Sequence, residues 1–252
     1  FRASPLPLPA PSVADDLGPA TSVMPADLGA DAGEGVSTGN GAQAAGWLIN
    51  ENLALEQLWQ LNSDAPFPAG VCGGSEIEAE VDGLRCLQGA AQVWDPIIAL
   101  NRPVVLDMQT PGRFSAATLV VAFEGAVAWV LSGNAVERVR LVDIATAWRG
   151  RYRMFWQPPQ GWGRPLVEGD VDPVITVVAQ LFATLDQQVT PLTEQRFTPA
   201  LAERVRLFQA QQNLTADGVV GVQTLLKLND ALGIGLAPDV ALRRAQWLTE
   251  GP

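Results

Sequence analysis

A short corner between two amphipathic runs constrains this chain most: L-T-A-D-G-V-V-G-V-Q-T-L, Leu214 to Leu225. The run before it, Pro199–Gln212, repeats apolar residues at helical spacing through Leu201, Val205 and Phe208. Thr198 is placed to cap that helix and Pro199 to open it. The run after it, Val222–Leu232, does the same with Leu225, Leu228 and Leu232. Asp217-Gly218 reads as a tight turn in which glycine supplies a positive φ. Val219 and Val220 are then extended, with at least one dipping between the helices, and Gly221 lets the backbone swing into the next helix. A third run, Pro173–Leu185, carries Val174, Val178, Leu181 and Leu185 on one face, so the corner closes a three-helix core. A phosphate-cradling loop needs a preceding strand and a lysine, and neither is here. A calcium loop needs several carboxylates, and only Asp217 is present.

Three scarcities narrow the chemistry. The 252 residues include no histidine, which removes histidine-assisted nucleophiles and histidine-ligated metals. The single lysine, Lys227, lies inside an apolar run. The two cysteines, Cys72 and Cys86, are too few for an all-cysteine metal site, so no metal or cofactor is expected. Their spacing is read as a Cys72–Cys86 disulfide in an oxidising compartment, in preference to a reduced, buried pair. A net charge of −11 argues against nucleic acid. The acidity is greatest before residue 100, where Arg2 and Arg85 are the only basic residues. No apolar run is long enough to span a membrane. Phe1 in place of a methionine reads as a mature or excised fragment.

Residues 1–45 are rich in Pro, Ala and Gly, lack any apolar period and read as a disordered tether. Order is expected from Trp47. A helix over Leu53–Leu61 comes first, then an ambiguous acidic stretch, Ser75–Asp82, read as a helix, and a strand over Leu84–Leu87. A helix over Ala91–Leu100 follows, then strands at Val104–Met108, Thr118–Phe123, Ala126–Leu131 and Val136–Leu141. A short helix over Val142–Trp148, ending at Gly150, precedes a last strand, Tyr152–Trp156. This is an α+β domain over 46–159. Gln157–Arg164 reads as a Pro/Gly linker, 164–234 as the helical domain, and 235–252 as a tail with a short helix over Asp239–Leu248.

The segment from Phe197 through Leu228 resembles the signature of the peptidoglycan-binding domain of bacterial wall enzymes. The matching positions are Phe197, Val205, Phe208, Gln209, Leu214, Asp217, Gly218, Val219, Gly221, Thr224, Leu225 and Leu228. The resemblance implies an all-α three-helix fold and peptidoglycan as ligand. Phe197, Phe208, Leu214, Gly218, Val219, Gly221 and Leu225 are read as fold-determining. Arg206, Gln209, Asp217 and Thr224 are candidate wall contacts by polarity, although a structural role carries more weight for each. Trp162, in the linker, is the tryptophan assigned to wall contact.

The larger block resembles the periplasmic half of ExeA/GspA-type proteins of type II secretion, through G-L-R-C-L-Q-G, N-R-P-V-V-L and W-R-G-R-Y-R-M-F-W-Q-P-P. That resemblance implies a papain-like, C39-peptidase-like α+β fold in the periplasm, excised from an inner-membrane-anchored protein. It also implies homo-oligomers, a GspB-type partner and a role in passing a secretin through the wall. A peptidase of this kind needs a cysteine at its first helix, a histidine opening a strand and an acidic or amide partner. Asn50–Leu61 holds no cysteine, the strand at Ser115 opens S-A-A-T, and Asn134 alone remains at the third position. The block therefore reads as an inactive scaffold. Crowded Glu76, Glu78 and Glu80 read as a solvated face rather than a glycosidase pair. Rival readings are a wall hydrolase carrying a targeting module, and an interaction scaffold without wall binding.

Overall fold

β-Branched and aromatic runs dictate the centre of the molecule. The computed structural model describes residues 46–68, 70–72 and 80–250, all within one compact unit. The tether assigned to 1–45 and most of the acidic stretch Ser75–Asp82 lie outside the described residues. Six strands form one antiparallel sheet: β1 (Arg85–Ala90), β2 (Val104–Gln109), β3 (Ser115–Glu124), β4 (Val127–Ser132), β5 (Ala135–Arg140) and β6 (Trp148–Trp156). Their spatial order is β1-β6-β2-β3-β4-β5. β3 is central and buried from Ala116 through Ala122, so its apolar run shows no two-residue alternation.

The sheet separates two apolar clusters by residue parity. Val104, Leu106, Met108, Val120, Val130, Met154 and Trp156 belong to one. Val105, Ala117, Leu119, Val121, Leu131 and Phe155 belong to the other. The second cluster is covered by α1 (Glu51–Asn62) and α7 (Pro238–Glu250). The Asn50 side chain caps α1 by accepting from the Asn52 amide at 2.8 Å. Ala54, Leu55, Leu58, Trp59 and Leu61 form its inner face.

The first cluster runs without a break from the sheet into α4 (Val174–Leu185), α5 (Pro199–Gln211) and α6 (Val222–Leu232). Phe182 of α4 meets Phe208 of α5 edge to face at 5.5 Å. Trp156 at the end of β6 meets Trp162 in the same way at 5.5 Å. Gln157–Arg164 is thus packed against its neighbours. The Gln157 carbonyl also accepts from the Asn229 side chain of α6 at 2.8 Å. Arg102 reaches Asp230 of α6 at 2.8 Å, and Lys227 donates to the Ala99 carbonyl at 2.6 Å.

Three elements depart from the sequence expectation. The helix expected over Ala91–Leu100 shrinks to α2 (Asp95–Ile98), because Pro96 forces its start and Asn101, at φ 52°, ends it. The helix expected over Val142–Trp148 stops as α3 (Leu141–Ala145). β6 then begins at Trp148, and Gly150, at φ 77°, falls inside the strand instead of ending a helix. Gly150 sits in a bulge of β6 opposite Leu106–Met108, and its carbonyl accepts from the Ala91 amide at 2.8 Å, so pairing on both sides of the bulge overrides the weak local preference of that stretch.

Cys72 and Cys86 form a disulfide with Cα atoms 5.7 Å apart, anchoring the loop before β1 to the fully buried Cys86. Replacing both cysteines by serine is expected to lower stability by about 3 kcal/mol. Thermal unfolding should report it as a Tm drop of roughly 6–12 °C. The Arg102–Asp230 pair gives a second expectation. Burial lowers the pKa of Arg102, and burial, outweighing Arg102 and Lys227, raises that of Asp230. Desolvation therefore costs this pair much of its Coulombic gain. Asp230→Asn still strands a buried guanidinium and should cost about 2–4 kcal/mol in urea unfolding at pH 7.

Candidate functional site

The corner from Leu214 to Leu225 is organised by one side-chain amide. Gln209, near the end of α5, is 2 % exposed. Its Nε2 lies 2.8 Å from Asp217 Oδ1, 3.0 Å from the Val219 carbonyl and 3.1 Å from Thr224 Oγ1. Its Oε1 accepts from the Gly218 amide at 2.9 Å. Asp217 Oδ1 also takes the Val219 amide at 2.8 Å, and Thr224 Oγ1 donates to the Val219 carbonyl at 3.2 Å. The amide thereby substitutes for a strand partner across a turn that has none. Gly218 sits at φ 78°, and a Cβ there would come 3.0 Å from Arg206 Nε. The conformation favours glycine, and a side chain there would also press on Arg206. Val220 plunges into the core and pairs with Leu166 through two backbone hydrogen bonds of 2.9 and 3.2 Å.

Above this corner lies an open cleft of about 350 Å³, walled by the end of α5, the 214–221 loop and the first turn of α6. Thr215, Asp217 and Gln223 line it and are exposed. α6 has Gly221 as its N-cap, so no side chain covers the unpaired amides of its first turn. Those amides, with the Gln223 amide and the Thr215 hydroxyl, are suited to carbonyl or carboxylate oxygens. Asp217 retains Oδ2 as an acceptor for an N–H or sugar hydroxyl. Val219 and Val222 add apolar surface.

The candidate contacts named from the sequence separate here. Asp217 faces the cleft. Gln209 and Thr224 lie on its floor, but they are buried and their polar atoms are engaged within the protein. Arg206 is outside the lining, beside Gly218, near Glu203 at 3.2 Å and Glu168 at 3.7 Å. Trp162 is 7 % exposed and wedged between Trp156 and the Arg85 guanidinium, so it offers no face to a ligand. The surrounding Pro and Gly suggested an open linker, while the indole itself packs in the core. Gln223 and Thr215 were missed. Gln223 was legible as the polar neighbour of Thr224 in the first turn of a helix with no capping side chain.

Gln209→Ala is expected to destabilise the chain by about 2–4 kcal/mol, since four polar groups lose a buried partner. Gln209→Glu should be worse at neutral pH, where a carboxylate would face Asp217 and the Val219 carbonyl. Its folded-state pKa would be raised, so stability should return as pH falls through that value. Urea unfolding at pH 7 and pH 5 checks both.

The geometry agrees with the comparisons. Residues 179–228 match the family model described as "Putative peptidoglycan binding domain". The chain is 30 % identical over 155 residues to "General secretion pathway protein A" of Aeromonas hydrophila, covering 60 % of this chain and 27 % of that protein. It is 26 % identical over 152 residues to "Putative general secretion pathway protein A" of Escherichia coli K12, covering 60 % and 30 %. The chain thus spans between a quarter and a third of the length of these relatives. Among solved structures, a periplasmic domain of the EpsAB fusion protein of the Vibrio vulnificus type II secretion system superposes with a TM-score of 0.54. That likeness, at 23 % identity, covers 75 % of this chain and 81 % of the other and shows a shared fold. Residues 179–228 thus match a family of putative peptidoglycan-binding domains, and the chain is similar to general secretion pathway A proteins over three fifths of its length.

Proposed function

We propose that this chain is a non-catalytic, periplasmic peptidoglycan-binding portion of a type II secretion assembly protein. The observation that carries the reading is the coincidence of the matched family segment with an open cleft whose free groups are hydrogen-bonding. Peptidoglycan presents N-acetyl sugars and short peptides, whose carbonyls, carboxylates and hydroxyls suit Thr215, Asp217, Gln223 and the open start of α6.

The sheet domain is the scaffold in this proposal, a papain-like block without peptidase chemistry. The chain holds no histidine, and the disulfide leaves neither Cys72 nor Cys86 a nucleophilic thiolate. At the start of α1 stand Asn50 and Glu51, and Arg153 bridges Glu51 and Asp107 where a catalytic group would have to be free. The helices α4–α6 form the three-helix wall-binding unit. The resemblance to ExeA/GspA-type proteins suggests the rest: self-association, a GspB-type partner and a secretin that must pass the wall.

Co-sedimentation with purified sacculi tests the proposal. The chain is expected to pellet with sacculi without releasing soluble fragments. Asp217→Ala and Gln223→Ala should each weaken binding by about five- to ten-fold, the worth of one hydrogen bond. New reducing ends or released peptides would instead make the chain a hydrolase. Failure to pellet would leave a scaffold without wall binding.

A further inference from the structure

A second cavity lies on the opposite layer of the sheet from the corner cleft. It is a groove of about 730 Å³ between α1, the 63–67 loop and the last turns of α7. Its walls are preformed. The Arg244 side chain of α7 donates to the Leu61 carbonyl at the end of α1 at 2.7 Å. The Trp59 indole donates to the Ala65 carbonyl at 2.7 Å, and Ser63 Oγ accepts from the Ala65 amide at 3.0 Å. The loop is therefore held from both sides.

Two features of the groove are unexplained by folding. α7 already buries its inner face completely through Ala241 and Ala245, yet Trp247 is 61 % exposed on the groove wall and Leu248 stands beside it. With Phe67 they make an apolar strip. Glu56, on the α1 wall facing α7, and Asp64, on the loop, are exposed carboxylates that form no ion pair among the described residues, and they outnumber the one lining cation, Arg244, whose guanidinium is tied to the Leu61 carbonyl. A concave surface with an exposed indole on one side and unpaired carboxylates on the other suits a ligand that is apolar along one edge and cationic along the other.

We propose that this groove docks an extended segment of a partner protein in which arginine or lysine alternates with apolar residues. An extended strand places such side chains on opposite edges, one toward Trp247 and Leu248, the other toward Glu56 and Asp64. The volume lies in the range of preformed ligand sites. The proposal stands apart from wall binding, because the groove and the wall cleft share no lining residue.

The full chain can be titrated at low salt with two acetylated octapeptides, one alternating Arg and Leu, the other Gln and Leu, while the Trp247 indole resonance is followed by NMR. The Arg/Leu peptide is expected to shift that resonance and to bind more weakly as salt rises. Trp247→Ala should weaken binding by about thirty-fold. The double change Glu56→Gln with Asp64→Asn should weaken it by about five-fold. Both changes are on exposed side chains, and circular dichroism confirms that the variants are folded. Asp217→Ala, in the wall cleft, should leave peptide binding unchanged. No shift at millimolar peptide, or equal binding of the Gln/Leu peptide, would overturn the proposal. So would displacement of the peptide by chitotetraose, which would make the groove a glycan site, or a Trp247 shift that follows protein concentration alone, which would make the occupant a second copy.

Discussion

The continuity of one apolar cluster, from the even-numbered face of β2 and β3 through Trp156 and Trp162 to α4, α5 and α6, is the constraint on which the architecture depends. The helices that cover that sheet face from its own part of the chain are the short α2 and α3, with Trp47 and Trp94 beside them. Its remaining apolar surface is closed by residues that a domain-by-domain reading assigns elsewhere. Burial of a tryptophan pair and a row of aliphatic side chains is non-directional, so it sets proximity without setting angle. The angle comes from directional contacts around it: Asn229 to the Gln157 carbonyl, Arg102 to Asp230 and Lys227 to the Ala99 carbonyl. The cleft beside the 214–225 corner is therefore carried in a fixed orientation relative to the sheet.

That rigidity also explains what was legible in the sequence. Signals that act locally were readable: the Thr198 cap and Pro199 start of α5, and the Asp217-Gly218 turn. Signals that depend on remote partners were not. Gly150 looks like a helix terminator in isolation and becomes a strand residue only because β1 and β2 flank it. Trp162 sits among Pro and Gly and looks exposed until Trp156 and Arg85 are placed around it. α7 was readable as a helix from its pattern, but its role as a cover for β3 and α1 was not, because Ala241 and Ala245 carry too little apolar weight to announce a buried face.

The candidate site shows the same division at the scale of single side chains. The family motif selects Gln209, Asp217 and Thr224 together, and polarity alone cannot distinguish a residue that holds the corner from one that holds a ligand. The hydrogen-bond inventory can. The Gln209 amide and the Thr224 hydroxyl spend their capacity on the turn, while Asp217 spends one oxygen and keeps the other. Gln223, outside the motif, is free because nothing in the fold requires it. In a small binding domain, residues that define the family and residues that meet the ligand need not be the same.

A cleft offering a few exposed polar groups and little enclosure binds weakly at each encounter, because water competes for every hydrogen bond it makes. Peptidoglycan answers that weakness by repetition: the same sugar and peptide groups recur along every strand. A protein that presents several copies of the cleft gains an effective concentration for each further contact, provided the copies can reach the polymer together. Fixed orientation then becomes an advantage, since a rigid carrier does not spend conformational entropy on aligning its clefts. In the proposed wall-binding role the sheet is useful without touching the wall. It holds the direction in which a weak site faces, and a second groove on its far layer is free to meet a different kind of ligand.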